Sequence, residues 1–227
     1  MIDPFATKRF SKADPRRLAF TAFARANDML AAKRFAHYAL PITDEGALND
    51  AATALIEDTD VDQRQMDVLA RHFLALQTRL PGDSVEIGAY RGVTTRRLAE
   101  LAPGQTVYAV DPFMGYGGSD EDFAIFRERT GGVSNIVHIR KPSGEGTHDL
   151  AGKPVSFVFI DAVHDYANVL FDGTSWFNIL RPGGLIAFHD VDEIAFAGTR
   201  RAVREIARRA TLESHVSGLI ILRKPTS

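Results

Sequence analysis

Short apolar runs recur along the second two-thirds of the chain, each closed by a polar or acidic residue and followed by a stretch with helical spacing. The runs at 84–88, 106–111, 136–140, 155–161 and 184–189 are mostly apolar throughout, the pattern of strands covered on both sheet faces. Between them, 94–101, 120–129, 165–180 and 198–209 place apolar residues at helical intervals, whereas 143–151 is too polar and glycine-rich to assign. Residues 211–224 read as two short strands hinged at Ser217-Gly218. The first 60 or so residues differ: Leu18, Phe20, Phe23, Met29, Leu30 and Phe35 predict a helix from Asp14 to about Tyr38. A weaker helical segment follows at 47–57, then a stronger helix from about Val61, with Met66, Leu69, Phe73, Leu76 and Leu80 on one face. The change of pattern predicts a helical extension over 1–60 and an α/β domain over 61–227.

With 227 residues, 45% hydrophobic content, 25% charged residues and a formal charge of −2, the chain can bury a full core and carries no overall field for nucleic acid or membrane. The expected partner is a small molecule, with association between copies left open. The absence of cysteine excludes disulfides, thiolate nucleophiles and cysteine metal sites, and fits a cytoplasmic protein. No apolar run approaches the roughly 20 residues needed to span a bilayer, and no signal-peptide pattern is seen at the N-terminus. The arginines at 200, 201, 204, 208 and 209 are read as the solvated side of a core-facing helix.

Ligands of open α/β sheets gather at the carboxyl ends of the strands, where Glu86, Asp111 and Asp161 would share one crevice. Gly88 and Gly92 permit the tight turn and close backbone approach that a ligand after the first strand requires. The loop is not the G-x-G-x-x-G of dinucleotide sites, because Glu86 would repel a pyrophosphate while attracting a ligand with a cationic amino-acid end. Asp111, about 25 residues on, stands where an acid accepts both hydrogen bonds of a ribose diol. Tyr90 either shields such a ligand or is a surface aromatic.

In these features the chain resembles the class I S-adenosylmethionine-dependent methyltransferases over about residues 61–227. The resemblance implies a Rossmann-like seven-stranded sheet, mostly parallel, with an antiparallel strand near the C-terminus. It also implies that Glu86, Gly88 and Gly92 form the first cofactor loop, that Asp111 holds the ribose and that Ser143 meets the adenine edge. The patterns Ile160-Asp161-x-x-His164-x-Tyr166 and Gly183-Gly184-Leu-Ile-Ala-Phe-His189-Asp190 are similar to those of metal-dependent O-methyltransferases acting on sugar hydroxyls of macrolides and related products. That likeness implies His164 as general base and a metal position at the second strand end, although His189-Asp190 stands where the family usually has two acids.

Adjacent strand tips lie about 4.8 Å apart, so Asp161 and Asp190 could share a divalent cation, magnesium for oxygen ligands alone. His189 as a third ligand would widen the choice to manganese, iron or zinc. Asp161 could instead meet the cofactor's methionine end in a metal-free enzyme. Two other readings also use these residues: a metal-dependent hydrolase or oxygenase built on Asp161, His164, His189 and Asp190, and a non-catalytic cofactor-binding protein.

Overall fold

A computed structural model describes residues 3–43, 56–114 and 118–226. The predicted segment 47–57 therefore lies largely outside the described residues, as does part of the loop after the second strand. Helix α1 (Pro15–Lys33) is followed by a 3-10 turn (Phe35–Tyr38), so the predicted single helix is broken near Arg34, whose φ of −119° is not helical. Phe35 is thereby placed beneath the Arg200 guanidinium, 3.7 Å from its ring centre. Next come α2 (Gln63–Arg79), β1 (Asp83–Ile87), α3 (Val93–Leu101), β2 (Val107–Val110), α4 (Asp120–Thr130) and β3 (Ile136–Ile139). The rest of the chain forms α5 (Ser143–Asp149), β4 (Val155–Ile160), α6 (Tyr166–Ile179), β5 (Leu185–Phe188), α7 (Ala197–Ile206), β6 (Thr211–Val216) and β7 (Leu219–Arg223).

The seven strands form one sheet in the order β3-β2-β1-β4-β5-β7-β6. All pairs from β3 to β5 are parallel, whereas β7 runs antiparallel to both β5 and β6. The order reverses between β1 and β4, the point at which an open sheet leaves its ligand crevice. One face is covered by Phe73, Leu69 and Leu76 of α2 and Leu98 of α3; the other is packed by Trp176 and Phe177 of α6 and Val203 and Ile206 of α7. Over β2, β4 and β5 both faces are thus dry, which accounts for strands apolar with almost no alternation.

The polar segment at 143–151 forms α5 after all. Its glycines admit close packing: a Cβ at Gly146 would lie 2.9 Å from Val110 Cγ1, so the helix rests nearly backbone-to-sheet. The arginines of α7 are only partly solvated. Arg200 pairs with Asp192, and the Arg201 guanidinium donates to the Asn27 side chain at 2.7 Å, fastening α1 to the domain. Among the described residues no helix is long and apolar enough to cross a membrane.

Candidate active site

A pocket of about 1000 Å³ opens at the carboxyl ends of β1, β2 and β4, lined by Glu86, Gly88, Asp111, Ser143, Asp161 and His164 among others. That volume is at the top of the usual range of about 300–1,000 Å³ for small-ligand sites.

The first loop has its shape because β1 and β4 nearly touch there. Gly88 has φ +86°, and a Cβ on it would fall 1.9 Å from the Asp161 carbonyl oxygen. Gly92, φ +78°, caps α3 in the left-handed region. Between them Tyr90 holds φ +45°, a conformation that costs a non-glycine residue about 1–2 kcal/mol. The Asp111 carboxylate stabilises this turn, with Oδ2 accepting from the Tyr90 N–H at 3.0 Å and Oδ1 from the Phe113 N–H at 2.7 Å. Each oxygen keeps a lone pair for a further donor. Arg91, beside Tyr90, pairs with Asp58 at 2.5 Å and Asp122 at 2.9 Å, tying the loop to α4 and to the segment before α2.

Glu86 is 2% exposed, and its carboxyl accepts from the Thr95 hydroxyl at the start of α3. Burial, reinforced by the negative charges of Asp161 and Asp111, pushes it up to about 8. At neutral pH Glu86 therefore carries a proton. Asp111 is also raised, by burial first, with its backbone hydrogen bonds opposing.

The second half of the site stands at the ends of β4 and β5. His164 Nε2 lies 3.3 Å from Asp161 Oδ1 and 3.3 Å from Asp190 Oδ2, while its ring stacks on Phe196 with centroids 4.6 Å apart. His189 Nδ1 approaches the same carboxylates, 3.6 Å from Asp161 Oδ1 and 3.2 Å from Asp190 Oδ1. Asp190 holds φ +56°, a strained conformation that Asp tolerates better than most.

The protonation of His189 follows from its neighbour. Gln65, in α2, accepts from the Asp62 N–H at its Oε1 and donates to the Ser217 carbonyl from its Nε2, which fixes the amide's orientation. Its Oε1 lies 3.0 Å from His189 Nε2, so that nitrogen carries a hydrogen and Nδ1 faces the two carboxylates. A bare lone pair there would be repelled, so Nδ1 needs a proton or a cation beside it. Burial opposes a proton on His189, but Asp161 and Asp190 outweigh it and raise the imidazole to about 10. Burial likewise works to raise Asp161, yet the imidazoles of His164 and His189 hold it well below the usual carboxylate range.

These residues fit a divalent cation. Neither His164 Nε2 nor His189 Nδ1 has a hydrogen-bond partner, although both are buried atoms. Donors about 2.1 Å from a common centre sit about 3.0–3.4 Å apart in octahedral or tetrahedral arrangements; the separations of 3.2 and 3.3 Å fall within this range and the 3.6 Å from His189 to Asp161 lies just outside it. One donor atom from each of Asp161, His164 and Asp190 can be drawn within 4.8 Å of the others.

Ser143, expected at the adenine edge, heads α5 beside the pocket, but its Oγ accepts from the Trp176 indole N–H at 2.7 Å. Three residues near the site were not singled out from sequence: Gln65, which orients His189; Phe196, which stacks on His164; and the buried carboxyl of Asp172, on the pocket wall. Gln65 has a sequence trace, since the Asp62-x-x-Gln65 capping box marks the start of α2.

A seven-stranded sheet with β7 inserted antiparallel, a glycine loop after β1 and an acid at the end of β2 together define the class I S-adenosylmethionine-dependent methyltransferase fold. Residues 85–191 match the family model described as a methyltransferase domain. No curated protein matches the sequence significantly. Among solved structures, the chain is similar to a cofactor-bound protein from MTB, Rv0187, at 20% identity and TM-score 0.56 over 96% of this chain and 100% of that one. It is similar to a putative caffeoyl-CoA O-methyltransferase from Staphylococcus aureus at 15% identity and TM-score 0.57, over 74% and 86% of the two chains. A third likeness is to the N-methyltransferase NodS from Bradyrhizobium japonicum WM9 in complex with S-adenosyl-L-homocysteine, at 17% identity and TM-score 0.54 over 74% and 90%. At these identities the likeness is one of fold.

Proposed function

We propose that the protein transfers a methyl group from S-adenosylmethionine to a hydroxyl of a small polar acceptor such as a sugar or related natural product, assisted by a divalent cation. The observation that carries this reading is the meeting of two imidazoles and two carboxylates at the tips of β4 and β5, in the same pocket as the Gly88 loop and Asp111. The S-adenosyl-L-homocysteine in NodS and the hydroxyl chemistry in the name of the Staphylococcus aureus protein agree with it.

An alcohol is a poor nucleophile at neutral pH, so the chemistry needs proton removal and a counter-charge for the developing alkoxide. A bound divalent cation supplies that counter-charge as a Lewis acid and orients the acceptor oxygen. Asp161, Asp190 and Nδ1 of His189 would hold it, because Gln65 locks His189 with that nitrogen toward the carboxylates. His164, which lines the pocket beside the cation position, takes the hydroxyl proton. Asp111 accepts from the ribose diol, and the ionised Glu86 compensates the cationic methionine end. The loop of Gly88 and Tyr90 brings its backbone against that end.

Isothermal titration tests the reading in order. S-adenosylhomocysteine binds in the micromolar range, and absence of heat at millimolar ligand overturns the cofactor assignment. Mn²⁺, followed by its paramagnetic resonance signal, binds wild type and His164→Ala but not His189→Ala. Equal binding to all three removes His189 from the metal position.

A further inference from the structure

A second cavity, of about 370 Å³, opens between α4 and the edge strand β3, walled by Phe123, Phe126 and Arg127 on one side and by Val133, Ile136 and His138 on the other. No residue lines both this cavity and the cofactor pocket. Its volume falls within the range of about 300–1,000 Å³ that small-ligand sites occupy. The wall is largely aromatic: the rings of Phe123 and Phe126 lie 4.8 and 5.3 Å from that of His138, and Phe113 backs the cluster 5.6 Å from the imidazole.

One polar atom interrupts this lining. The Asp111 backbone carbonyl accepts a hydrogen bond from the His138 ring, whereas Nε2 of the same ring is a buried atom without a partner. The donor is therefore Nδ1, and Nε2 of the neutral ring is a bare lone pair on the edge turned away from Asp111. Burial favours that neutral form, holding the imidazole below its ordinary value with help from the Arg140 charge and against the pull of the carbonyl. A buried acceptor left unmet is costly, and a hydrogen-bond donor seated in the cavity would remove that cost.

We propose that this cavity is a second small-molecule site that takes a phenol-type ring, its body against Phe123, Phe126 and Val133 and its hydroxyl donating to Nε2 of His138. The site is independent of the methyl-transfer reading. Aromatic rings favour an aromatic guest, because offset and edge-to-face pairs add to simple burial. The donor is a neutral hydroxyl, since Arg127 on the rim and the Arg140 guanidinium, 4.5 Å from the Phe123 ring centre, disfavour an ammonium beside them.

The test is a titration of phenol, un-ionised at pH 7.5, and of toluene, which carries methyl in place of hydroxyl, into wild type, His138→Phe and Val133→Phe. Affinity is read from the side-chain methyl signals of Ile136, and the contact from the ring nitrogens of labelled His138. Wild type should bind phenol with a Kd of about 1 mM or tighter, and the Nε2 signal should move away from its bare-nitrogen position. His138→Phe, which keeps a ring but strands the hydroxyl, should lower the phenol-to-toluene affinity ratio about tenfold. Val133→Phe, which fills the cavity, should weaken both ligands at least about tenfold. A ratio unchanged within twofold in folded His138→Phe, or Val133→Phe binding phenol as wild type does, overturns the assignment. So does a wild-type Nε2 signal that does not respond to 10 mM phenol, roughly ten times the expected Kd, whatever the variants do.

Discussion

Cofactor affinity should rise with pH, because Glu86 must lose a proton when a cationic ligand arrives. The carboxyl is fully enclosed and held at about 8 by burial, with Asp161 and Asp111 adding to the effect. If the ligand's ammonium returns it to an ordinary value, the free energy of binding carries the cost of deprotonation below pH 8. From pH 5.5 to 7.0 that cost falls by a factor of roughly 30, since the protonated excess over the ionised form drops from about 300-fold to about tenfold. The window ends at 7.0 because the ligand's own amino group titrates near pH 7.7–8.0 and would work the other way. The assay is titration of S-adenosylhomocysteine at several pH values in two buffers of different ionisation heat. Close to one proton should be released per ligand at pH 6.5 through Glu86, and Glu86→Gln should lose that proton and the matching share of the slope. The folding linkage has the opposite sense. An acid raised in the folded state stabilises it fully below the unfolded value of 4.5 and loses that stabilisation as pH rises through about 8. Between pH 6 and 9 the ligand-free protein should lose about 2.7 kcal/mol through this residue, roughly 5–10 °C in Tm for a chain of this size, and Glu86→Gln should be spared. A wild-type affinity flat within threefold over pH 5.5–7.0, or the same slope in Glu86→Gln, would refute the proton on Glu86.

Gly88→Ala should destabilise by more than about 3 kcal/mol in denaturant melts, since the left-handed backbone and the Asp161 carbonyl 1.9 Å from the new Cβ both oppose it. Asp190→Asn should weaken Mn²⁺ about 10- to 100-fold by resonance titration and leave S-adenosylhomocysteine affinity within threefold. Gln65→Leu leaves the His189 Nε2–H without an acceptor and should weaken Mn²⁺ about 10- to 100-fold by resonance titration; an unchanged affinity would mean the amide does not orient the ring. His164→Ala should lower methyl transfer to any accepted hydroxyl about 10²- to 10⁴-fold with cofactor affinity intact; loss of affinity instead would make the residue structural.

The strands were legible because the sheet is dry on both sides, so β1, β2, β4 and β5 had to be apolar without alternation. Strand β7 was readable for the same reason, and Gly218, φ +82°, turns the chain between it and the edge strand β6. Helix α5 was hidden because glycines that weaken a helix in isolation here let it approach Val110, a gain that appears only once β2 is beside it. The end of α1 was misplaced because Phe35 answers to Arg200, 165 residues away, and not to the helical rhythm of its own segment. The site divides in the same manner. Glu86, Asp111, Asp161 and His164 sit at strand tips and could be found by position, whereas Gln65, Asp3 and Asp172 reach the pocket from other parts of the chain.

The strand that delivers His189 and Asp190 is flanked on one side by β4 and on the other by β7, residues 219–223. Of the seven strands, β7 leaves the ribosome last. Until it docks, β5 is a bare edge, and the Ser217 carbonyl that steadies Gln65 is not yet in place. A chain cut before residue 219 would thus keep the crevice at the ends of β1 and β2 while leaving His189 and Asp190 on a strand paired on one side only.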